Sequence, residues 1–141
     1  MIILATNVIS EILKRQQANP QVIDWFVALP AEECRTTVIT IAELLYGLAI
    51  QPDGHRRDRL SAGIDAFIHA YESRTIPFSA EATPYYAAIV ATRRKQGHPI
   101  GVQDAMIAAI ARSHGMTLAT RNVKDFEGIG VRLVNPWEAD L

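Results

Sequence analysis

Three carboxylates and one amide, Glu43, Asp104, Asp125 and Asn122, stand in the first turns of predicted helices, each just after a short apolar run or a glycine. They belong to segments 39–44, 101–105 and 119–126, read together with the N-terminal stretch Ile2-Ile3-Leu4-Ala5-Thr6-Asn7. Each has an ordinary structural explanation. Thr40 and Glu43 have capping-box spacing, in which the glutamate reaches back to the Thr40 amide. Asp104 complements a helix dipole, and Asn122 with Asp125 fits an N-cap and its partner three residues on. The combination points to different chemistry. Acids brought to one place repel one another unless a cation lies between them. Hard oxygen donors suit Mg²⁺ or Mn²⁺, which keep several waters and leave positions for phosphate oxygens. Such an ion can activate water and neutralise charge developing on a scissile phosphate. Spacing and composition leave the capping and metal readings both open.

The elements that must position these groups follow from local patterning. Residues 2–5 form a short apolar run, as a buried parallel strand requires, and Thr6-Asn7 ends it with helix-capping types before a helix over 8–15. Pro20 opens a second helix that Pro30 stops. A strand over 35–38 leads to a helix from Thr40 to Leu48, and the turn cluster 51–54 precedes a helix over 59–71. A strand is expected at 75–78, then a long helix capped by Ser79 and ended by Gly97 as a left-handed terminator. A helix over 102–114 closes at Gly115, and strands follow at 116–119 and 131–134. Strands alternating with helices imply an α/β three-layer sandwich, a central parallel sheet with helices on both faces. Ligands in such sheets bind outside the C-terminal strand ends, and all the singled-out acids are predicted at that edge.

At 141 residues the chain reads as one domain, 1–141, with no repeat or linker. Its 14 Lys+Arg against 15 Asp+Glu argue against a surface that is wholly a nucleic-acid footprint, and leave room for local basic patches. The single Cys34 excludes an intrachain disulfide and, with no Cys/His cluster, offers no zinc site. A reducing compartment is expected. The apolar start ends too early for a signal peptide or a membrane span, so the expectation is a soluble, cytoplasmic protein with no membrane partner.

The motifs Ile2-Ile3-Leu4-Ala5-Thr6-Asn7-Val8-Ile9-Ser10-Glu11, Ile41-Ala42-Glu43-Leu44-Leu45-Tyr46-Gly47, Val102-Gln103-Asp104-Ala105-Met106-Ile107-Ala108, Leu118-Ala119-Thr120-Arg121-Asn122-Val123-Lys124-Asp125-Phe126 and Asn135-Pro136-Trp137 occur in this order along nearly the whole chain. In them the chain resembles PIN-domain ribonucleases, specifically the VapC/FitB-like toxins of bacterial type II toxin–antitoxin pairs. The resemblance implies a PIN-like fold and a Mg²⁺- or Mn²⁺-dependent endoribonuclease. It also implies a homodimer silenced by a VapB-type antitoxin, with DNA reached only through that antitoxin. Carried over by position, Glu43 and Asp104 match two acidic metal-site positions. Asn122 matches one that is Asp or Asn, Asp125 is a nearby additional acid, and Thr6 and Thr120 match hydroxyls lining the site.

Ala5 departs from that pattern, which has Asp there. A methyl group cannot ligate a metal, so weak metal binding and little or no hydrolysis are expected. With the rest of the pattern intact, a deliberate inactivating substitution explains Ala5 better than natural decay. The rival from another class is a non-catalytic PIN-like binding module that acts with an antitoxin in operon repression.

Arg93-Arg94-Lys95, with His98, end the long helix just before the Asp104 segment, where they could hold RNA phosphates or simply complement the helix dipole. The cluster His55-Arg56-Arg57-Asp58-Arg59 reads as an exposed helix start. Trp25, Phe26 and Tyr46 are of types usually found in cores, while the resemblance makes Trp25 and Phe26 candidates for an antitoxin groove. Trp137 is expected to pack the C-terminus.

Overall fold

Alternation along two short strands builds both cores of the molecule. In the computed structural model, which describes residues 1–139, β1 (Ile2–Leu4) sends Ile3 to one face of the sheet and Leu4 to the other. Leu118 and Ala119 of β4 (Thr117–Ala119) divide in the same way. Burying each such Ile or Leu contributes about 1.5–3 kcal/mol. The last two positions of the expected domain, 140 and 141, lie outside the described residues.

The sheet is completed by β2 (Cys34–Thr37), β3 (Thr75–Ile76) and β5 (Leu133–Val134), all parallel, in the order β3-β2-β1-β4-β5. On one face lie α5 (Thr83–Lys95) and α6 (Val102–His114), which bury Ile89, Ile107 and Ile110 with Ile3 and Leu118. On the other, α1 (Thr6–Ile12), α2 (Pro20–Val27) and α4 (His55–Ala70) bury Val8, Ile9, Trp25 and Ile64 with Leu4. Helix α3 (Val38–Ala49) joins the layers, with Leu44 in the second core and Ile39 packed against the first. The expected three-layer α/β sandwich is therefore observed. Among the described residues no helix is long and apolar enough to cross a membrane.

Local chemistry sets the element ends. Asn19 caps α2, its side chain accepting from the Gln21 and Val22 amides ahead of Pro20. Gly97 (φ 75°) and Gly115 (φ 64°) adopt the left-handed conformation expected just past α5 and α6. Ser79 differs from expectation: its hydroxyl bonds to Glu81, a 3-10 turn over Ala80–Ala82 follows, and α5 starts at Thr83.

The strand order reverses direction at β1. The chain first steps from β1 to β2, and later returns to pair β4 on the opposite side. This leaves a crevice at the C-terminal ends of β1 and β4. The helix-entry residues after β1 and the loop after β4 face each other across it.

Candidate active site

Beyond β1 the chain is still held to the sheet, because the Ala5 N–H donates to the Ala119 carbonyl at 2.9 Å. Ala5 is the N-cap of α1 and has no side chain with which to cap it. Thr6 and Asn7 therefore open α1 at the strand ends. The Thr6 hydroxyl donates to Glu43 Oε1 at 2.7 Å, fixing the carboxylate that α3 brings in from the side. Asn7 Nδ2 donates to the buried Thr120 hydroxyl at 3.2 Å, and its Oδ1 accepts from the Arg121 amide at 3.2 Å. Thr120 Oγ1 also accepts from the Asn122 amide at 3.1 Å, which bends the chain after β4 back over the crevice. Three sequence segments are thus locked around one point by side-chain hydrogen bonds.

That point opens on a cavity of about 460 Å³, within the roughly 300–1,000 Å³ usual for small-ligand sites. Ala5, Thr6, Glu43, Asp104, Thr120 and Asn122 wall it together with Ser10, Glu11, Lys14, Arg121 and Trp137. Asp104 lies in the first turn of α6 and is half-buried. Its carboxyl is pushed above the usual aspartate range by burial first, then by the charges of Glu43 and Asp125. Asp125 itself is exposed and does not line the cavity, although its charge reaches Asp104.

The raised pKa is a statement about stability. Ionising Asp104 is harder in the fold than in the unfolded chain, so the penalty appears as pH rises through the unfolded value of about 3.9 and is complete above the folded one. Asp104→Asn is therefore expected to raise the melting temperature of the metal-free protein at pH 7 and to lose that advantage by pH 3. Thermal melts across that range check it, and an equal gain at both ends would disprove the repulsion.

The donor set agrees in kind with a hard divalent cation: two mutually repelling carboxylates, Glu43 and Asp104, beside the Asn122 amide and the Thr6 and Thr120 hydroxyls. It is short in charge. Among the described residues no three His, Cys, Asp or Glu side chains converge closely enough to hold a metal ion by themselves. At the cavity wall between the strand ends, Ala5 presents only a methyl group.

Several expected roles change. Glu43 does not belong to a capping box, because α3 starts earlier, at Val38, with the Thr37 hydroxyl accepting from the Thr40 amide at 3.1 Å. This puts Glu43 in the second turn, where it accepts from Thr6 instead. Asn122 precedes a 3-10 turn, Val123–Phe126, and makes no side-chain cap. Arg93, expected beside Arg94 and Lys95 as a phosphate contact, is turned inward. It is only 8 % exposed, and its guanidinium donates to the carbonyls of His98 (2.8 Å), Asp125 (2.8 Å) and Glu127 (3.4 Å). Arg94, Lys95 and His98 are exposed and lie outside the cavity wall. Trp25, 7 % exposed, and the half-buried Phe26 pack into the second core.

The sequence alone gives no site role to Asn7, Ser10, Lys14 or Arg121. A signal was present: positions 7, 10, 11 and 14 make a polar stripe at helical spacing opposite Val8, Ile9 and Ile12. Such a stripe reads equally well as a solvated face until a second element is seen to cover it.

The PIN domain family model matches residues 2–130. Plasmid stability protein StbB of Pseudomonas syringae pv. tomato is 40 % identical, over 99 % of this chain and 100 % of its own length. VapC ribonuclease Y4jK of Sinorhizobium fredii is 39 % identical, over 98 % of this chain and 99 % of its own. The solved structure of FitAcB from Neisseria gonorrhoeae superposes with a TM-score of 0.90 at 35 % identity, covering 99 % of this chain and 100 % of that one. The family model, these full-length identities and the superposed sheet lead to one conclusion: the chain belongs to the PIN-domain family, in the branch that holds VapC and FitB.

Proposed function

We propose that this chain is the toxin of a type II toxin–antitoxin pair, built as a Mg²⁺- or Mn²⁺-dependent endoribonuclease and catalytically impaired by Ala5. The observation carrying this reading is the convergence of Glu43, Asp104, Thr6, Thr120 and Asn122 on one cavity at the sheet's switch point, with Ala5 in its wall. Relatives named as VapC ribonucleases and as a tRNA(fMet)-specific endonuclease support the ribonuclease class. When bound, the ion supplies an activated water and charge neutralisation at the scissile phosphate. In this reading Glu43 and Asp104 hold it, Thr6 keeps Glu43 in place, and Asn122 and the Thr120 hydroxyl orient water or a phosphate oxygen. Asp125 adds negative potential from outside the wall, and Arg94 and Lys95 contact flanking RNA phosphates. The test is cleavage of a broad RNA pool by Ala5→Asp protein, with and without Mg²⁺ or Mn²⁺.

The absence of three converging acids among the described residues favours one second reading, a non-catalytic binding module that acts with an antitoxin. The same experiment separates the two, since a module gains nothing from a fifth-position carboxylate.

Solved relatives include FitAB and VapBC bound to DNA, and a VapB-type antitoxin that carries the DNA contact is the partner proposed here, in the cytoplasm. A second copy of the chain is the other. Val38, Leu45 and Tyr46 of α3, Ile50 just past it and Val102 are exposed apolar side chains; Tyr46, 67 % exposed, and Val102 line a second hollow with Thr6 and Glu43 beside the cavity. Light scattering is expected to give about twice the 15.6 kDa chain mass, and Tyr46→Glu to give the monomer. A monomer at all concentrations would rule out the dimer.

A further inference from the structure

The cavity is lined by charges of both signs. Glu43 and Asp104 line it, and so do Arg121 and Lys14, the latter with Glu11 beside it. Both cations are held in place rather than left to wander. The Lys14 ammonium lies 3.2 Å from the buried Glu11 carboxylate, which also accepts from the Asn19 amide at 3.1 Å, and yet the lysine side chain is 56 % exposed. One anchored donor leaves its remaining N–H groups for a ligand. Arg121 is fixed at its backbone by Asn7, and its guanidinium carbon sits 5.1 Å from the centre of the Trp137 ring. That ring is half-buried against the second core, with its backbone amide held by Asn135 at 3.0 Å. No acid among the described residues pairs with Arg121.

We infer that Lys14 and Arg121, the latter stacked on Trp137, form a subsite for the phosphate adjoining the one presented to Glu43 and Asp104, so that single-stranded RNA runs along the cavity. The inference rests on the ribonuclease reading and adds a binding site on the α1 side of it. Two fixed cations spaced along a groove with an aromatic ring match a polyanion that also carries flat bases. A base can stack on the outer face of the guanidinium while Lys14 and the Ser10 hydroxyl meet the phosphate. An acidic peptide would satisfy the charges and leave the stacked surface unused.

The experiment uses the chain as it stands and a fluorescein-labelled octauridylate, with anisotropy titrations across a salt series. Lys14→Gln and Arg121→Gln are each expected to weaken binding by roughly 3–10-fold and to lower the log–log salt slope by about 0.7, the double variant by about 1.4. Arg56→Gln with Arg59→Gln, exposed on α4, should leave the slope unchanged. In a Trp25→Phe background, octauridylate should quench Trp137 fluorescence. Lys14 also neutralises buried Glu11, so Arg121→Gln carries the test if Lys14→Gln fails to fold. Octauridylate binding with an unchanged slope in folded Arg121→Gln overturns this subsite alone. No oligonucleotide binding by the unaltered chain overturns the ribonuclease reading with it. Binding of hexa-aspartate in preference to octauridylate, lost in Arg121→Gln, overturns it in favour of an acidic peptide.

Discussion

Ala5→Asp is expected to raise metal-dependent RNA cleavage by more than about 100-fold, the scale at which even groups one step removed from a metal alter affinity or activity. The backbone is already placed for it. Ala5 is 5 % exposed, pinned by its N–H to Ala119, and lines the cavity with Glu43 and Asp104. An aspartate there adds the third carboxylate to a set that now has two, at an N-cap position where Asp is also favoured for the helix itself. A further Asp104→Asn change should abolish the restored activity, since it removes a charge from the same site. In cells, Ala5→Asp protein should be toxic alone and silent with its antitoxin, while the unaltered chain should be tolerated. Gel analysis of a broad RNA pool with Mg²⁺, Mn²⁺ or EDTA decides the matter. An uncut pool, or equal cutting by the unaltered chain, would remove the metal-site assignment.

Arg93→Ala is expected to cost about 3 kcal/mol, which lowers the melting temperature by roughly 10 °C for a domain of this size. The buried guanidinium donates to carbonyls from two separate segments, the loop before α6 and the loop after β4. Hydrogen bonds from a charged donor contribute about 1.5–3 kcal/mol each at best, and some of the freed carbonyls regain water. The loss should be concentrated where the contacts are. Amide exchange is expected to quicken over 122–127, the segment carrying Asn122 and Asp125, before it quickens in β1. Its exposed neighbour provides the contrast: Arg94→Ala should change stability by no more than about 0.5 kcal/mol. Equal effects of the two substitutions would show that the carbonyl contacts contribute nothing.

The sheet was legible in the chain because its evidence is local. Short runs at 2–5 and 116–119 read as buried parallel strands, which the structure has at 2–4 and 117–119, and the glycines after α5 and α6 mark helix ends that the structure reproduces. That Ala5 offers no ligand atom was equally legible, since no fold can make a methyl group into one. Only the tertiary structure decided where the longer side chains went. Arg93 and Arg94 are adjacent and alike in sequence, but α5 turns the first under two loops and leaves the second in solvent. Asp125 looked like a member of the acid set, but the 3-10 turn carrying it leaves it exposed and off the cavity wall. Lys14 and Arg121 lie more than a hundred positions apart and meet one cavity because β1 and β4 are neighbours. Spacing along a chain fixes which face of an element a residue occupies. What that face meets depends on contacts between distant segments, and these form only when the sheet assembles.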